Sequence, residues 1–169
     1  MSDMPKEKLE RLRALAELDP FENFSEQIRD FMDSTVDQGT QPYWGMPTIL
    51  GAPHSESLDG LDIALMGVPF DLGVTNRPGA RFGPRALRAL ERVSTFHHES
   101  HIMPYAQAAI ADAGDVALES RYSLDEATDE IESHFHRIMD AGVIPLSVGG
   151  DHSITYPILK AVGREKSVG

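Results

Sequence analysis

Apolar and polar positions change period several times along this 169-residue chain. Leu9, Leu12, Leu15 and Leu18 recur at three-residue spacing within residues 6–18, which predicts an amphipathic helix. Asp19-Pro20 stops it. A second helix is predicted from Ser25, a good N-cap, to about Val36, with Ile28, Phe31 and Met32 on its inner face. Residues 37–60 lose the period. Glycine and proline punctuate them, yet they carry Tyr43, Trp44, Met46, Ile49 and Leu50, which predicts an ordered loop draped over a domain or into an interface. Trp44 reads as a packing anchor.

From Leu61 the pattern becomes strand, helix, strand, helix. Leu61–Val68 is a short continuous apolar run, the signature of a buried parallel strand. The long loop that follows carries three glycines and two prolines, and Pro84 suits the first turn of a helix over 84–93. Residues 97–107 read as loop and Ala108–Ala113 as a second strand. Ser123 and Glu126 have capping-box spacing ahead of the stripe Ala127, Ile131, Phe135 and Ile138, so a helix is predicted over 123–140. Val143–Val148 is a third buried strand and 154–162 a further helix. The alternation implies right-handed crossovers and a parallel sheet covered on both faces. Ser167-Val168-Gly169 reads as the opening of a fourth strand, so the chain is expected to be the N-terminal part of a longer, truncated α/β protein; the other reading of the tail is a terminal coil. The expected division is a helical extension and ordered loop, 1–60, and an α/β domain, 61–169.

Composition narrows the function. A hydrophobic content of 41% supports a core. Fifteen basic against 27 acidic residues, a net charge of −12, exclude the clustered basic surface that nucleic acid requires. No cysteine is present, so disulfides and thiolate metal sites are excluded. No apolar run approaches the roughly 20 residues of a membrane span, and the N-terminus has no signal-peptide core. A cytoplasmic protein is expected.

Ligands of open α/β sheets bind beyond the carboxyl ends of the strands. Asp151, His152 and Ser153 fall at such an end, after Gly149-Gly150, which let the backbone turn sharply. A neutral imidazole there suits a divalent metal, Asp151 beside it can orient it, and Ser153 can cap the next helix. Taken alone, His152 is equally well a hydrogen-bonded histidine at a strand end. The other histidines read as solvated or structural. His97, His98 and His101 lack helical ligand spacing, His134 and His136 do not share a helix face, and His54 sits in irregular chain.

Three ordered motifs carry a family resemblance. Gly149-Gly150-Asp151-His152-Ser153 resembles the first metal-ligand motif of the ureohydrolases, the arginase and agmatinase family. Gly67-Val68-Pro69-Phe70-Asp71 with Arg77-Pro78-Gly79-Ala80-Arg81-Phe82-Gly83-Pro84-Arg85, and Asp112-Ala113-Gly114-Asp115-Val116, resemble its agmatinase-like or guanidino-acid hydrolase branch. The resemblance covers Leu61 to Gly169. It implies a three-layer α/β/α fold with a parallel sheet. It implies a dinuclear divalent metal centre, Mn2+ or in some members Ni2+, that supplies the hydroxide for attack on a guanidinium carbon and release of urea. It also implies a trimer or hexamer of identical chains.

By the same resemblance His152 is a ligand of one metal and Asp151 supports it. The family's later Asp-Ala-His-x-Asp and Asp-x-Asp ligand segments do not occur in these residues. The covered chain alone is therefore expected to hold metal poorly and to be inactive, with no catalytic residue of its own. Asn76 and Arg77, in the loop after the first strand, are candidates for the substrate tail, and Arg77 would favour a carboxylate-bearing guanidino acid over agmatine. Fixing the loop or a subunit contact is the alternative role for both. Two other readings are a non-catalytic subunit that assembles with a complete homologue, as a hetero-oligomer, and a sister activity such as formiminoglutamate hydrolysis.

Overall fold

A computed structural model describes residues 45–90 and 102–165, together with Glu10, Glu26, Ile28, Arg29, Asp30, His97, Glu99 and Ser167. Two compact units divide the chain, residues 1–38 and 39–169. In the first, Glu26 and Ile28–Asp30 are helical and Ile28 is buried, as expected of the helix predicted there. The remainder of that helix, most of the helix predicted over 6–18, Trp44, His98, His101 and the last two residues of the predicted fourth strand lie outside the described residues.

The second unit holds a parallel sheet of three strands, β1 (Ile63–Val68), β2 (Ile110–Asp115) and β3 (Ile144–Gly149), in the order β2-β1-β3. Ile63 stands opposite both Ile110 and Ile144, so the strands start level. β2 runs two residues further than its apolar stretch predicts. Its register against β1 shifts between the pairs Leu65–Asp112 and Gly67–Asp115. Gly114 takes up the extra residue at φ 88°, a backbone conformation glycine adopts freely. Pairing then resumes, with the Val116 N–H donating to the Gly67 carbonyl at 2.8 Å.

β1 divides its side chains between two cores because strand residues alternate in direction. Ala64, Met66 and Val68 meet the long helix α3 (Leu124–Asp140), through Ala127, Ile131, Phe135 and Ile138, and the helix α4 (Thr155–Val162), through Ala161. Leu65 and Ile63 meet the opposite layer: Ile49 and Ala52 of the loop before β1, Leu87 of α1 (Gly83–Arg88), and Tyr105 of the single-turn α2 (Pro104–Gln107). The result is a three-layer α/β/α arrangement around a parallel sheet. Phe135 and Ile131 are fully buried, and each such side chain contributes about 1.5–3 kcal/mol. Ser123 caps α3 as its sequence predicts, its hydroxyl accepting from the Glu126 N–H at 3.4 Å.

Three expectations need correction. The helix after Pro84 ends at Arg88 rather than Val93, and the Arg88 side chain turns to the carboxylates of β2. The stretch 97–107 is not all loop: Pro104, whose fixed φ suits a first helical position, opens α2. The third strand is not fully buried, and the sheet is not covered on both faces along its whole width. Ile144 and Leu146 are 63% and 53% exposed, because the layer of α1, α2 and the 45–53 loop stops short of them.

Candidate functional site

The carboxyl end of β3 meets that of β1 with no room to spare. A side chain on Gly150 would strike the carbonyls of Phe70 and Val68 at 2.3 and 2.7 Å. The missing Cβ lets the turn pass beneath β1, with Gly150 N–H donating to Val68 O (3.3 Å) and Asp151 N–H to Phe70 O (2.8 Å). The chain then enters a 3-10 turn, His152–Ile154, that leads into α4.

Asp151 rather than Ser153 caps this turn. One carboxylate oxygen accepts from the Ser153 N–H at 2.8 Å and from the Ser153 hydroxyl; the other accepts from the Gly73 N–H at 2.8 Å. A cap must stand before the first turn to reach its free N–H groups, and Asp151 holds that place. Its carboxylate thereby joins the β3–α4 turn to the β1–α1 loop. The group that touches the His152 ring is Thr155, whose hydroxyl lies 3.1 Å from Nδ1. Sequence reasoning overlooked Thr155, although a spacing of three residues at a helix start was the available signal.

His152 is exposed and lines an open groove of about 430 Å³ with Ser147, Gly149, Gly150, Asp151, Ile154, Thr155, Ile158 and Leu159. The groove has a polar end at the turn and an apolar wall on α4. Among the described residues no three His, Asp or Glu side chains gather in a metal-holding group. His152 offers one imidazole, and these residues alone do not make up a dinuclear centre.

The β1–α1 loop is tied to itself by Asp71, another residue that sequence reasoning did not single out. Its side chain is wholly buried and accepts from the N–H groups of Gly79 (2.7 Å) and Arg81 (3.2 Å) and from Arg81 Nε (2.5 Å), with a second Arg81 nitrogen against it. The hydrogen bond from Arg81, opposed by burial and aided by the two backbone N–H groups, lowers the Asp71 pKa to about 2. Asn76 and Arg77 lie in the exposed part of this loop, and neither side chain has a partner among the described residues.

At the far edge, Arg88 binds Asp112 through Nε and a terminal nitrogen, both at 2.8 Å, and reaches Asp115 at 2.6 Å and the Gly114 carbonyl at 3.0 Å. Burial alone would raise the Asp112 pKa. Arg88 and the N–H groups of Ile49 and Gly114 together hold it below the usual carboxylate range. The remaining described histidines have structural company. His54 Nδ1 lies 3.0 Å from the Asp112 carbonyl, His97 bridges to Ile102, His134 meets Arg137, and His136 faces Glu132 one helical turn away.

Comparison with known proteins places this geometry in context. The model of the Arginase family matches residues 61–169. The mitochondrial guanidino acid hydrolase of Homo sapiens is 38% identical over 145 residues, covering 82% of this chain and 41% of that protein. The guanidinopropionase of Pseudomonas aeruginosa is 42% identical over 126 residues, covering 74% and 39%. Among solved structures, proclavaminate amidino hydrolase from Streptomyces clavuligerus superposes with a TM-score of 0.70 at 32% identity, over 75% of this chain and 42% of that one. A Trypanosoma cruzi formiminoglutamase with Mn2+ gives a TM-score of 0.55 at 26% identity, over 71% and 41%. The chain thus spans about two-fifths of the length of the curated relatives it matches.

Proposed function

Because the chain belongs to the arginase family, we propose that it contributes to a metal-dependent hydrolase that releases urea from a guanidino compound. The observation that carries this reading is the His152 turn: an exposed imidazole at a strand's carboxyl end, beside an open groove, on a backbone anchored to the neighbouring strand. The relatives named for guanidino acid, guanidinopropionate and guanidinobutyrate hydrolysis point to the substrate class. In the reaction one water adds to the guanidinium carbon, the bond from that carbon to the substrate's amine nitrogen breaks, and the amine leaves with a proton.

His152 supplies one imidazole to a divalent metal, Mn2+ in the first instance and Ni2+ as the alternative, which when bound lowers the cost of generating hydroxide. Asp151 supports His152 by holding its turn. Asn76 and Arg77 form a substrate loop, and the positive charge of Arg77 favours a carboxylate-bearing tail over the amine of agmatine. Residues 1–169 alone release no urea, because a single imidazole does not retain a dinuclear centre. Residues 1–60 form an extension to the α/β domain, and the assembled enzyme is a trimer or hexamer. Its place in the cell is the cytoplasm. No described helix is long and apolar enough to cross a membrane, and cell fractionation tests the assignment against the mitochondrial address in the names of four relatives.

The decisive experiment is metal analysis with a urea-release screen across arginine, agmatine, guanidinobutyrate, guanidinopropionate, guanidine and biguanides. It is run on residues 1–169 and on the same chain joined to the downstream segment of a relative. Urea from the joined chain alone is the expected result; urea from residues 1–169 overturns the assignment of inactivity.

A second reading draws on the uncovered strip of Ile144 and Leu146 on β3, which has no further strand beside it among the described residues. In that reading the chain is a non-catalytic subunit seated on a complete homologue. Co-purification of a longer homologue in stoichiometric amount favours it.

A further inference from the structure

Asp71 is a fully buried carboxylate with a use that core packing does not explain. All of its donors, the N–H groups of Gly79 and Arg81 and the Arg81 guanidinium, come from the other limb of the loop it begins. The ion pair thus closes a single loop on itself instead of joining separate elements. The loop's first limb is fastened a second time, by the Gly73 N–H on the Asp151 carboxylate, and it lies so close to the next turn that a side chain on Gly73 would meet the Ser153 Cβ at 2.8 Å. Between these two fastenings stand Thr75, Asn76, Arg77 and Pro78, all exposed. Arg81 gives Nε and one terminal nitrogen to Asp71, whereas the Arg77 guanidinium, on the exposed segment, has no partner among the described residues.

We infer that Asp71 is a positioning residue: clamped to Arg81, it holds the β1–α1 loop as a rigid rim beside the His152 turn, and this rigidity lets the loop select a guanidino substrate by the charge of its tail. The inference rests on the hydrolase reading above and adds to it the group that makes the loop selective. Ordering a loop on binding costs backbone conformational entropy. A loop ordered in advance leaves that free energy to appear as affinity. Buried and held near pKa 2, the Asp71 carboxylate stays charged across the physiological range, so the clamp does not open with ordinary changes of pH.

The test follows backbone amide signals by NMR in residues 1–169 while 4-guanidinobutanoate, agmatine or Mn2+ is added. In the unsubstituted chain, 4-guanidinobutanoate moves the signals of residues 74–79 and agmatine does not. In Asp71→Asn the Gly79 amide exchanges faster with solvent and affinity for 4-guanidinobutanoate falls about tenfold. Arg81→Gln, altered at a half-exposed side chain, gives the same result where the buried substitution costs the fold, and Arg81→Lys recovers part of the affinity. Broadening of the His152 signal by Mn2+ is the same in all variants. Unchanged affinity in a variant whose Gly79 amide exchanges faster overturns the inference, and so does an unsubstituted chain whose loop ignores 4-guanidinobutanoate. Absence of Mn2+ broadening at His152 while the loop still responds counts against the metal reading and leaves the clamp standing.

Discussion

The carboxyl ends of β2 and β3 both carry acidic residues, and they are put to opposite uses. On β2, Asp112 and Asp115 converge on Arg88, whose guanidinium is spent on them and on the Gly114 carbonyl. On β3, Asp151 takes only neutral donors, two N–H groups and a hydroxyl, and the imidazole beside it remains exposed to a groove. Two carboxylates at a strand end look more like a site than one carboxylate and a histidine. The donors decide otherwise. A full-charge partner shared by both carboxylates balances one of their two charges and makes the group a joint between β2, α1 and the loop before β1. Backbone donors satisfy Asp151 and leave the neighbouring ring available.

Breaking the β2 joint should have the largest effect. Arg88→Met leaves Asp112 buried without its cation and should lower stability by about 3–5 kcal/mol in urea denaturation. A loss under 1 kcal/mol would mean that water replaces Arg88 and that the two strand ends differ less than their donors imply.

On the other side, Asp151→Ala removes the cap of the His152 turn and the acceptor of the Gly73 N–H and should cost about 0.5–2 kcal/mol, with faster amide exchange at Gly73. Asp151→Asn keeps the acceptor oxygen for one of the two N–H groups and should cost less. Equal losses in the two variants would show that the charge, not the acceptors, matters there.

Acid sharpens the contrast. The Asp71 pKa is depressed to about 2 and that of Asp112 lies below its ordinary value, so the unfolded chain binds these protons first. Both contributions are complete above the ordinary carboxylate pKa of about 4; that of Asp71 is lost as pH falls through about 2, and that of Asp112 is lost below its ordinary value. Thermal melts between those limits should show a falling Tm, and Arg81→Gln should flatten the fall. An unaltered slope in that variant removes Asp71 from the explanation.

The smallest effect on stability belongs to the residue proposed to hold the metal. His152→Ala removes an exposed ring and should change stability by no more than about 0.5 kcal/mol, while abolishing Mn2+ broadening at the turn. Persistent broadening would move the metal ligand elsewhere.

Sequence alone determined the sheet, its parallel sense and the strand end to which the proposed site is assigned. These follow from local signals: runs of apolar residues, Ser123 three residues before Glu126, and a double glycine where a strand meets a helix. The arginase family match over residues 61–169 agrees with the motifs read at Gly67–Asp71, Asp112–Val116 and Gly149–Ser153. Tertiary structure alone decided who holds whom. Asp71 and Arg81 are ten residues apart, Gly73 and Asp151 seventy-eight, and Arg88 and Asp112 twenty-four. No periodicity links such pairs: the first forms only when its loop folds back on itself, and the other two only when separate strands and loops are packed. Tertiary structure also exposed Ile144 and Leu146 on a strand that its composition marks as buried. A run of apolar side chains says that a strand seeks cover, and only the packed layers show where that cover stops.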